Sequence, residues 1–172
     1  TIDVIFDMET AGVPAVRDYP ETSVLQAPSG GYMNLAMAVR EPPFDNKLVR
    51  KAIQAATDRN AILQGAQFGL GSIAYDHPIT EGHPVFNPNC KPPDYNPELA
   101  KDLLNQAGYP DGFETELWAM PVPRPYMPQP DKIAQAIQAN LTAVGIRAQI
   151  VQWEWGTYLQ KIQNGEHPMC LL

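Results

Sequence analysis

Three stretches decide the fold class: FETELWA (residues 113–119), DKIAQAIQANLTAVG (131–145) and IRAQIV (146–151). The side chains of the first alternate between two faces, which predicts a strand, and the third is also predicted to be a strand. The second is predicted to be a helix that ends at Gly145, because its apolar residues recur at helical spacing: Ile133, Ile137, Leu141 and Val144. A strand, a helix and a second strand predict a βαβ unit whose two strands lie parallel.

Helices and strands are also predicted on both sides of this unit. Towards the N-terminus we expect strands at 2–6, 23–26 and 32–39, with a turn at Gly30–Gly31. We expect helices at 8–18, 46–56 and 59–68, of which the second is capped by Asp45 and the third by Asp58. A further helix has Asn96 as cap, Pro97 at its first position, Gly108 after its end, and an apolar face of Leu99, Leu103, Leu104 and Ala107. The last elements are a helix at 155–163 and a strand at 167–172. The fold class expected is α/β, a mixed sheet with flanking helices.

A long segment at residues 69–95 interrupts this pattern. It shows no sustained period, and five prolines oppose regular hydrogen bonding there: Pro78, Pro84, Pro88, Pro92 and Pro93. We expect a long Pro-rich loop within a single domain spanning 1–172, and loops of that length are usually functional or packed against another part of a protein.

Charge and hydropathy exclude several classes of function. The net charge is −7, and no run of Lys or Arg offers a surface for nucleic acid or for an anionic membrane. No window approaches the length of apolar sequence that a spanning helix needs. Cys90 and Cys170 permit one disulfide but have no framework spacing, so they do not indicate a compartment.

Motifs of catalysis and metal binding are also missing from the sequence. It contains no Gly-x-Ser-x-Gly elbow, no phosphate-binding Gly loop and no His-Glu-x-x-His helix. His77, Glu81, His83 and Cys90 share the long loop, but their spacing matches no zinc pattern. Glu154 between Trp153 and Trp155 suggests either a sugar platform or a helix cap beside core aromatics, and the cap explains it better. We expect neither an enzyme nor a cofactor.

Arg124 is the candidate ligand-binding residue. It lies in a loop stiffened by five prolines, directly after a predicted strand, where ligand crevices of open α/β sheets form. A guanidinium offers a planar pair of donors that matches a carboxylate. The alternative is a solvated loop arginine. Trp118, Met120 and Tyr126 flank it and are candidates to line side-chain pockets, although an aromatic at a strand end is more often part of the core.

Long ordered blocks of the sequence resemble one known family. They are PPFDN (42–46), VRKAI (49–53), DYNPELAK (94–101), AGYPDGF (107–113), LWAMPV (117–122) and RPY (124–126). Together they resemble the family 5 extracellular solute-binding proteins of ABC importers, and the later blocks resemble its dipeptide-binding branch.

The resemblance implies one lobe of a periplasmic-binding-protein type II fold, specifically the C-terminal lobe of a longer two-lobed protein. It implies that Arg124 receives the carboxylate of a dipeptide or short peptide, and that the aspartate for the amino group lies beyond Leu172 in the family. The implied partners are the peptide, the N-terminal lobe and ABC permease subunits, and the implied location is the periplasm or a lipid-anchored extracellular position. The family resemblance leaves open a nickel complex, haem, glutathione or an oligosaccharide as the ligand, and also a surface that only docks to a permease.

Overall fold

The computed structural model describes residues 4–5, 8–26, 31–74, 79 and 83–172. The elements are, in chain order, a 3-10 helix at Thr10–Gly12, α1 Val13–Arg17, β1 Leu35–Met37, α2 Lys47–Ala56, α3 Arg59–Gln67, α4 Pro97–Gln106, β2 Phe113–Trp118, α5 Pro130–Thr142, β3 Ile146–Val151, α6 Trp155–Gln163 and β4 Met169–Leu171. These strands form a sheet in the order β1-β4-β2-β3, in which β4, β2 and β3 are parallel and β1 is antiparallel to β4. The predicted mixed α/β fold is confirmed.

The βαβ unit is present as predicted. Strands β2 and β3 pair in register from Phe113 with Ile146 to Trp118 with Val151. Helix α5 connects them and buries Ile133, Ile137 and Leu141, whereas Val144, which is also buried, lies after the helix ends at Thr142. The helix begins at Pro130 rather than at Asp131, because proline is well suited to the first helical position, where its missing N–H has no helical partner.

Helix α2 has a different cap from the predicted Asp45. The side chain of Asn46 accepts a hydrogen bond from the Leu48 N–H at 2.9 Å. Asp45 lies one residue earlier in the preceding turn, where its own N–H donates to the Glu41 carbonyl at 3.0 Å. Aspartate and asparagine are equally good caps, so their order in the sequence does not distinguish them.

The PPFDN block and helix α2 after it pack against the start of β2 and against α4, and the Phe44 ring lies 6.1 Å from that of Phe113. Phe44 is buried, and the Arg50 guanidinium donates to the carbonyls of Phe44 at 2.7 Å and Asp45 at 2.9 Å. Helix α2 packs against α4, and the Asn96 N–H donates to the Ala55 carbonyl at 2.8 Å. The Arg50 side chain therefore has a structural role in holding the PPFDN turn against α2.

Helix α4 confirms its predicted cap but not its whole apolar face. The Asn96 side chain accepts from the Leu99 N–H at 2.9 Å, and Pro97 is the first residue. Leu99 is 42% exposed, contrary to prediction, whereas Ala100 and Leu104 are buried. The buried face of the helix is therefore centred on Ala100 and Leu104 rather than on Leu99.

The N-terminal strand predictions are the least successful. Residues 23–26 form no strand, and Leu25 is 95% exposed, since no neighbouring strand pairs with them among the described residues. The strand predicted at 32–39 is reduced to Leu35–Met37. Val4 and Ile5 are not in a strand, and the rest of the strand predicted at 2–6 lies outside the described residues, as does Gly30 of the predicted turn.

The predicted Pro-rich loop is only partly described. Its described residues contain no helix or strand, while 75–78 and 80–82 lie outside the described part of the chain. Cys90 and Cys170 are both free. Burial in β4 raises the pKa of the Cys170 thiol to about 12, which makes it a packing residue rather than a reactive one.

Two glycines bring the starts of β2 and β3 together. Gly112 has a φ of 71°, and a Cβ placed on it would lie 1.9 Å from the Gly145 carbonyl oxygen. Gly145 itself has a φ of 93°. Only glycine fits this approach of backbone to backbone, so the pair sets the spacing at the amino ends of the parallel strands.

Candidate functional site

The carboxyl ends of β2, β3 and β4 meet at one edge of the sheet. The Ala119 N–H donates to the Val151 carbonyl at 2.9 Å and extends the pairing of β2 with β3 by one residue. The Pro-rich loop at 120–130 then leaves this edge, and α6 begins shortly after β3 at Trp155. The loop and the first turn of α6 therefore lie at the edge where open α/β sheets bind ligands.

A tight turn presents Arg124 within this loop. The Arg124 N–H donates to the Met127 carbonyl at 3.0 Å, and the Met127 N–H donates to the Arg124 carbonyl at 2.9 Å. Pro125 occupies the first central position, where its fixed φ favours such a turn. Met127 is fully buried, and Gln67 at the end of α3 donates to the Tyr126 carbonyl at 3.3 Å. The backbone that carries Arg124 is anchored from both sides.

The guanidinium of Arg124 lies over the ring of Trp155. Its Cζ is 4.4 Å from the ring centroid, which is cation–π geometry. The guanidinium also makes a long hydrogen bond of 3.4 Å to the Pro123 carbonyl. Across the described residues, no carboxylate lies within salt-bridge distance of it. The edge of this guanidinium is therefore available to a ligand that is not part of the described chain.

The ring of Tyr158 packs against that of Trp155. The two rings stack with centroids 5.9 Å apart and planes 16° from parallel. Tyr158 is fully buried, its hydroxyl donates to the Leu171 carbonyl at 2.6 Å, and the Trp118 carbonyl lies 3.2 Å away. Burial raises the pKa of Tyr158 well above its ordinary value, so the hydroxyl keeps its proton and remains a donor.

Trp118 and Met120 are buried in the core beneath the loop that carries Arg124. Trp118 is 3% exposed and Met120 is fully buried, whereas Arg124 and Tyr126 are partly exposed. The Trp118 ring contacts Trp153 at 5.6 Å between centroids, and its indole N–H donates to a Glu116 carboxylate oxygen at 2.8 Å. The structure gives both side chains a packing role, and their lining of a ligand pocket stays a prediction.

A second cation lies on the aromatic cluster, but its charge is neutralised. The Lys161 ammonium is 4.5 Å from the Trp153 ring centroid and 2.6 Å from a Glu166 carboxylate oxygen. The hydrogen bonds from Lys161 and Asn164 lower the pKa of Glu166. This arrangement contrasts with that of Arg124, which has no anionic partner in the described chain.

Glu154 is a helix cap, as predicted. Its carboxylate accepts a hydrogen bond from the Thr157 N–H at 3.2 Å at the start of α6. Backbone hydrogen bonds from Gly156 and Thr157 lower its pKa, which favours the ionised form over a proton donor. Trp153 and Trp155 contact different partners on either side of it, which supports the cap interpretation over the sugar platform.

Sequence reasoning missed the roles of Trp155 and Tyr158. Residues three apart on a helix lie on the same face, so the spacing of these aromatics already indicated that their rings meet. Nothing in the sequence indicated that Arg124 packs on the Trp155 ring, because that contact depends on how α6 lies against the loop.

Neither the described part of the long loop nor a groove on the surface has the features of a ligand site. No group of His, Cys, Asp or Glu suited to a metal ion occurs in the described ranges, and His77 and Glu81 of the long loop lie outside them. An open groove of about 360 Å³ lies near the amino ends of β2 and β3, between α4 and the turn before β3, lined in part by Lys101, Asp102, Asn105 and Asp111. It lies far from the predicted ligand residues and matches no motif.

None of the helices in the described segments is long and apolar enough to cross a membrane.

Comparison with known proteins identifies relatives that bind small solutes. The chain is 34% identical over 164 residues to a dipeptide-binding protein of Escherichia coli, covering 94% of this chain and 30% of that protein. It is 32% identical over 166 residues to haem-binding protein A of Haemophilus influenzae, covering 96% of this chain and 30% of that protein. A dipeptide-binding protein from Pseudoalteromonas, solved with Met-Leu, superimposes with a TM-score of 0.82 at 33% identity over 96% of this chain and 32% of its own.

The chain spans about 30% of the length of these curated relatives. The profile described as bacterial extracellular solute-binding proteins, family 5 middle, matches residues 1–172. The fold is that of periplasmic-binding-protein type II proteins, as predicted. The chain belongs to the family 5 bacterial extracellular solute-binding proteins.

Proposed function

We propose that this chain is the lobe that receives the peptide carboxylate in the substrate-binding component of an ABC peptide importer. The observation that carries the proposal is Arg124, held at the carboxyl edge of the sheet with its guanidinium on Trp155 and no anionic partner in the described chain. The dipeptide-binding relatives support a dipeptide or short peptide as the ligand.

The chemistry of the ligand follows from that guanidinium. Its planar fork matches the two oxygens of a carboxylate, and a charge-assisted pair is stronger than a neutral hydrogen bond. In this lobe Arg124 is still partly exposed to water, which weakens any ion pair it makes. A second lobe that closes over the ligand removes that water, so we propose that residues 1–172 form the C-terminal lobe of a two-lobed protein.

The remaining features of the proposal concern location and partners. We propose a position outside the cytoplasmic membrane, in the periplasm or anchored by lipid, where the closed protein delivers its ligand to permease subunits. The extracellular designation of the family supports this location. We propose binding without catalysis, which the relatives named as binding proteins support.

A second candidate is a binding protein for another solute. The relationship to haem-binding protein A favours haem as that solute, because its identity to this chain is close to that of the dipeptide-binding relative. Haem also carries carboxylates, so Arg124 suits either ligand. Side chains outside this lobe then decide between them.

Calorimetry on the full-length protein with a panel of dipeptides, tripeptides, glutathione, a nickel–histidine complex and haem tests the proposal. We expect the tightest binding for dipeptides, at micromolar affinity or better. Haem binding without any peptide response would replace the first candidate with the second. Binding of none of these ligands, with intact docking to the permease, would leave only the docking surface.

A further inference from the structure

We infer that Trp155 is a positioning residue that holds the Arg124 guanidinium in the orientation that selects ligands with a free carboxylate. The inference rests on the proposed function and assigns a role to a residue that does not itself donate a hydrogen bond to the ligand. Its basis is a run of three groups in contact, here called the column: the Arg124 guanidinium lies over Trp155, and Trp155 stacks with Tyr158, which is buried in the core.

The base of the column is rigid. Tyr158 is fully buried and hydrogen-bonded to the carbonyl of Leu171 in β4, so its ring cannot shift without breaking a buried contact. Trp155 is the first residue of α6, where the Glu154 cap fixes the backbone. The Trp155 ring is nearly parallel to that of Tyr158, with centroids 5.9 Å apart, and the Arg124 guanidinium lies over it at 4.4 Å. The outer ring is thereby fixed relative to the sheet.

Arg124 needs such a support. The turn to Met127 fixes its backbone but not its long side chain, whose rotamer freedom is costly to lose on binding. The hydrogen bond from its guanidinium to the Pro123 carbonyl is long, at 3.4 Å, and therefore weak. The contact with Trp155, at 4.4 Å from the ring centroid, is thus the main side-chain restraint on the guanidinium among the described residues.

The stacking also leaves the right atoms free. A cation–π contact uses the flat face of the guanidinium, so the N–H groups around its edge stay available. A carboxylate that approaches edge-on accepts two parallel hydrogen bonds from this fork. The indole covers one face and excludes water from it, which strengthens the ion pair. The geometry therefore favours a free carboxylate over a terminal amide.

The pair formed by Lys161 and Trp153 is an internal comparison. There too a cation lies over an indole, at 4.5 Å, but Glu166 already neutralises it at 2.6 Å. Trp153 does not contact Arg124 among the ring contacts of the described residues. A substitution of Trp153 removes an indole of the same size two residues away without touching the column, which makes it a matched control.

The test uses the full-length protein and measures, by calorimetry, the ratio of the dissociation constants for an amidated dipeptide and the same dipeptide as free acid. We expect Trp155→Leu to lower this preference for the free acid roughly tenfold, since a cation–π contact of this kind is lost. Trp155→Phe should keep most of the preference because it keeps a ring. Trp153→Leu should leave the ratio unchanged. In an Arg124→Ala background, Trp155→Leu should have no further effect on the ratio.

The outcomes separate the inference from the proposed function. If Trp155→Leu weakens both peptides by one factor, or changes neither, Trp155 is only a wall of the site and the inference is wrong. If Arg124→Ala itself leaves the ratio unchanged, the carboxylate role fails and the inference fails with it. Trp155→Met, which fills space against Tyr158 without a ring, replaces Trp155→Leu if that variant does not fold, with the same expected loss.

Discussion

Tyr158 is the residue whose removal should cost most stability among the polar groups near the site. Tyr158→Phe deletes the buried hydroxyl and leaves the Leu171 carbonyl without its donor. An unsatisfied buried carbonyl costs about 1–3 kcal/mol, so we expect a loss of that size in the free energy of unfolding, measured by urea denaturation. Tyr95→Phe, at a residue 42% exposed, is the control and should be nearly neutral. Equal effects of the two variants would show that the buried hydrogen bond contributes nothing.

Gly112 should also be needed for stability, because the backbone leaves no room for a side chain there. Gly112→Ala places a Cβ 1.9 Å from a backbone carbonyl at a φ of 71°, which forces the turns before β2 and β3 apart. We expect a loss of more than about 1 kcal/mol in stability, seen as a lower melting temperature. Gly65→Ala is the matched control, because nothing lies within 4 Å of its Cβ in α3 and alanine is the better helix former. A neutral Gly112→Ala would contradict the close approach of the two turns.

The position of Arg124 could be predicted from the sequence, but its contact could not. The strand before it and the prolines around it are local features, and they place it at the carboxyl edge of the sheet. Its packing on Trp155 depends on how the loop and α6 lie together, which no local pattern encodes. For the same reason the sequence did not distinguish Trp118 and Met120, which are buried, from Tyr126, which is partly exposed.

Among the helices, α4 offers the cleanest test of how a single residue starts an element. Asn96→Ala removes the side-chain acceptor of the Leu99 N–H and leaves that donor uncapped. We expect a loss of about 1 kcal/mol in the free energy of unfolding by urea denaturation. Asn105→Ala, at an exposed position within the same helix, should change stability by less than about 0.5 kcal/mol. A larger loss for Asn105→Ala than for Asn96→Ala would contradict the assigned cap.

Helices were predicted better than strands because their signals are local. Caps, first-turn prolines and terminal glycines gave the bounds of α3, α4 and α6 to within one or two residues. A strand exists only where another strand pairs with it, which is why 23–26 failed and why β1 is limited to the residues opposite β4. The parallel pairing of β2 with β3 was predictable, since a helix between two strands leaves few other arrangements.

At the scale of the whole molecule, the proposed two-lobed site predicts that residues 1–172 bind ligand poorly on their own. A site that depends on two walls cannot exclude water when one wall is missing, so the proposed ion pair at Arg124 would be weak. We expect residues 1–172, expressed alone, to bind dipeptides with millimolar affinity or worse in calorimetry. The full-length protein under identical conditions is the control. Micromolar binding by the lobe alone would contradict the two-lobed site.

The central claim is that Arg124 receives the ligand's carboxylate, and Arg124→Ala in the full-length protein tests it most directly. Leaving a desolvated carboxylate unpaired costs about 3–5 kcal/mol, so calorimetry should show a loss of roughly 150-fold to several thousand-fold for a free-acid dipeptide. The amidated dipeptide should lose little, Arg124→Lys should recover only part of the affinity, and Arg147→Ala, at the amino end of β3, should change nothing. If Arg124→Ala weakens the free-acid and amidated dipeptides by the same factor, Arg124 is a structural loop residue and the carboxylate role is wrong.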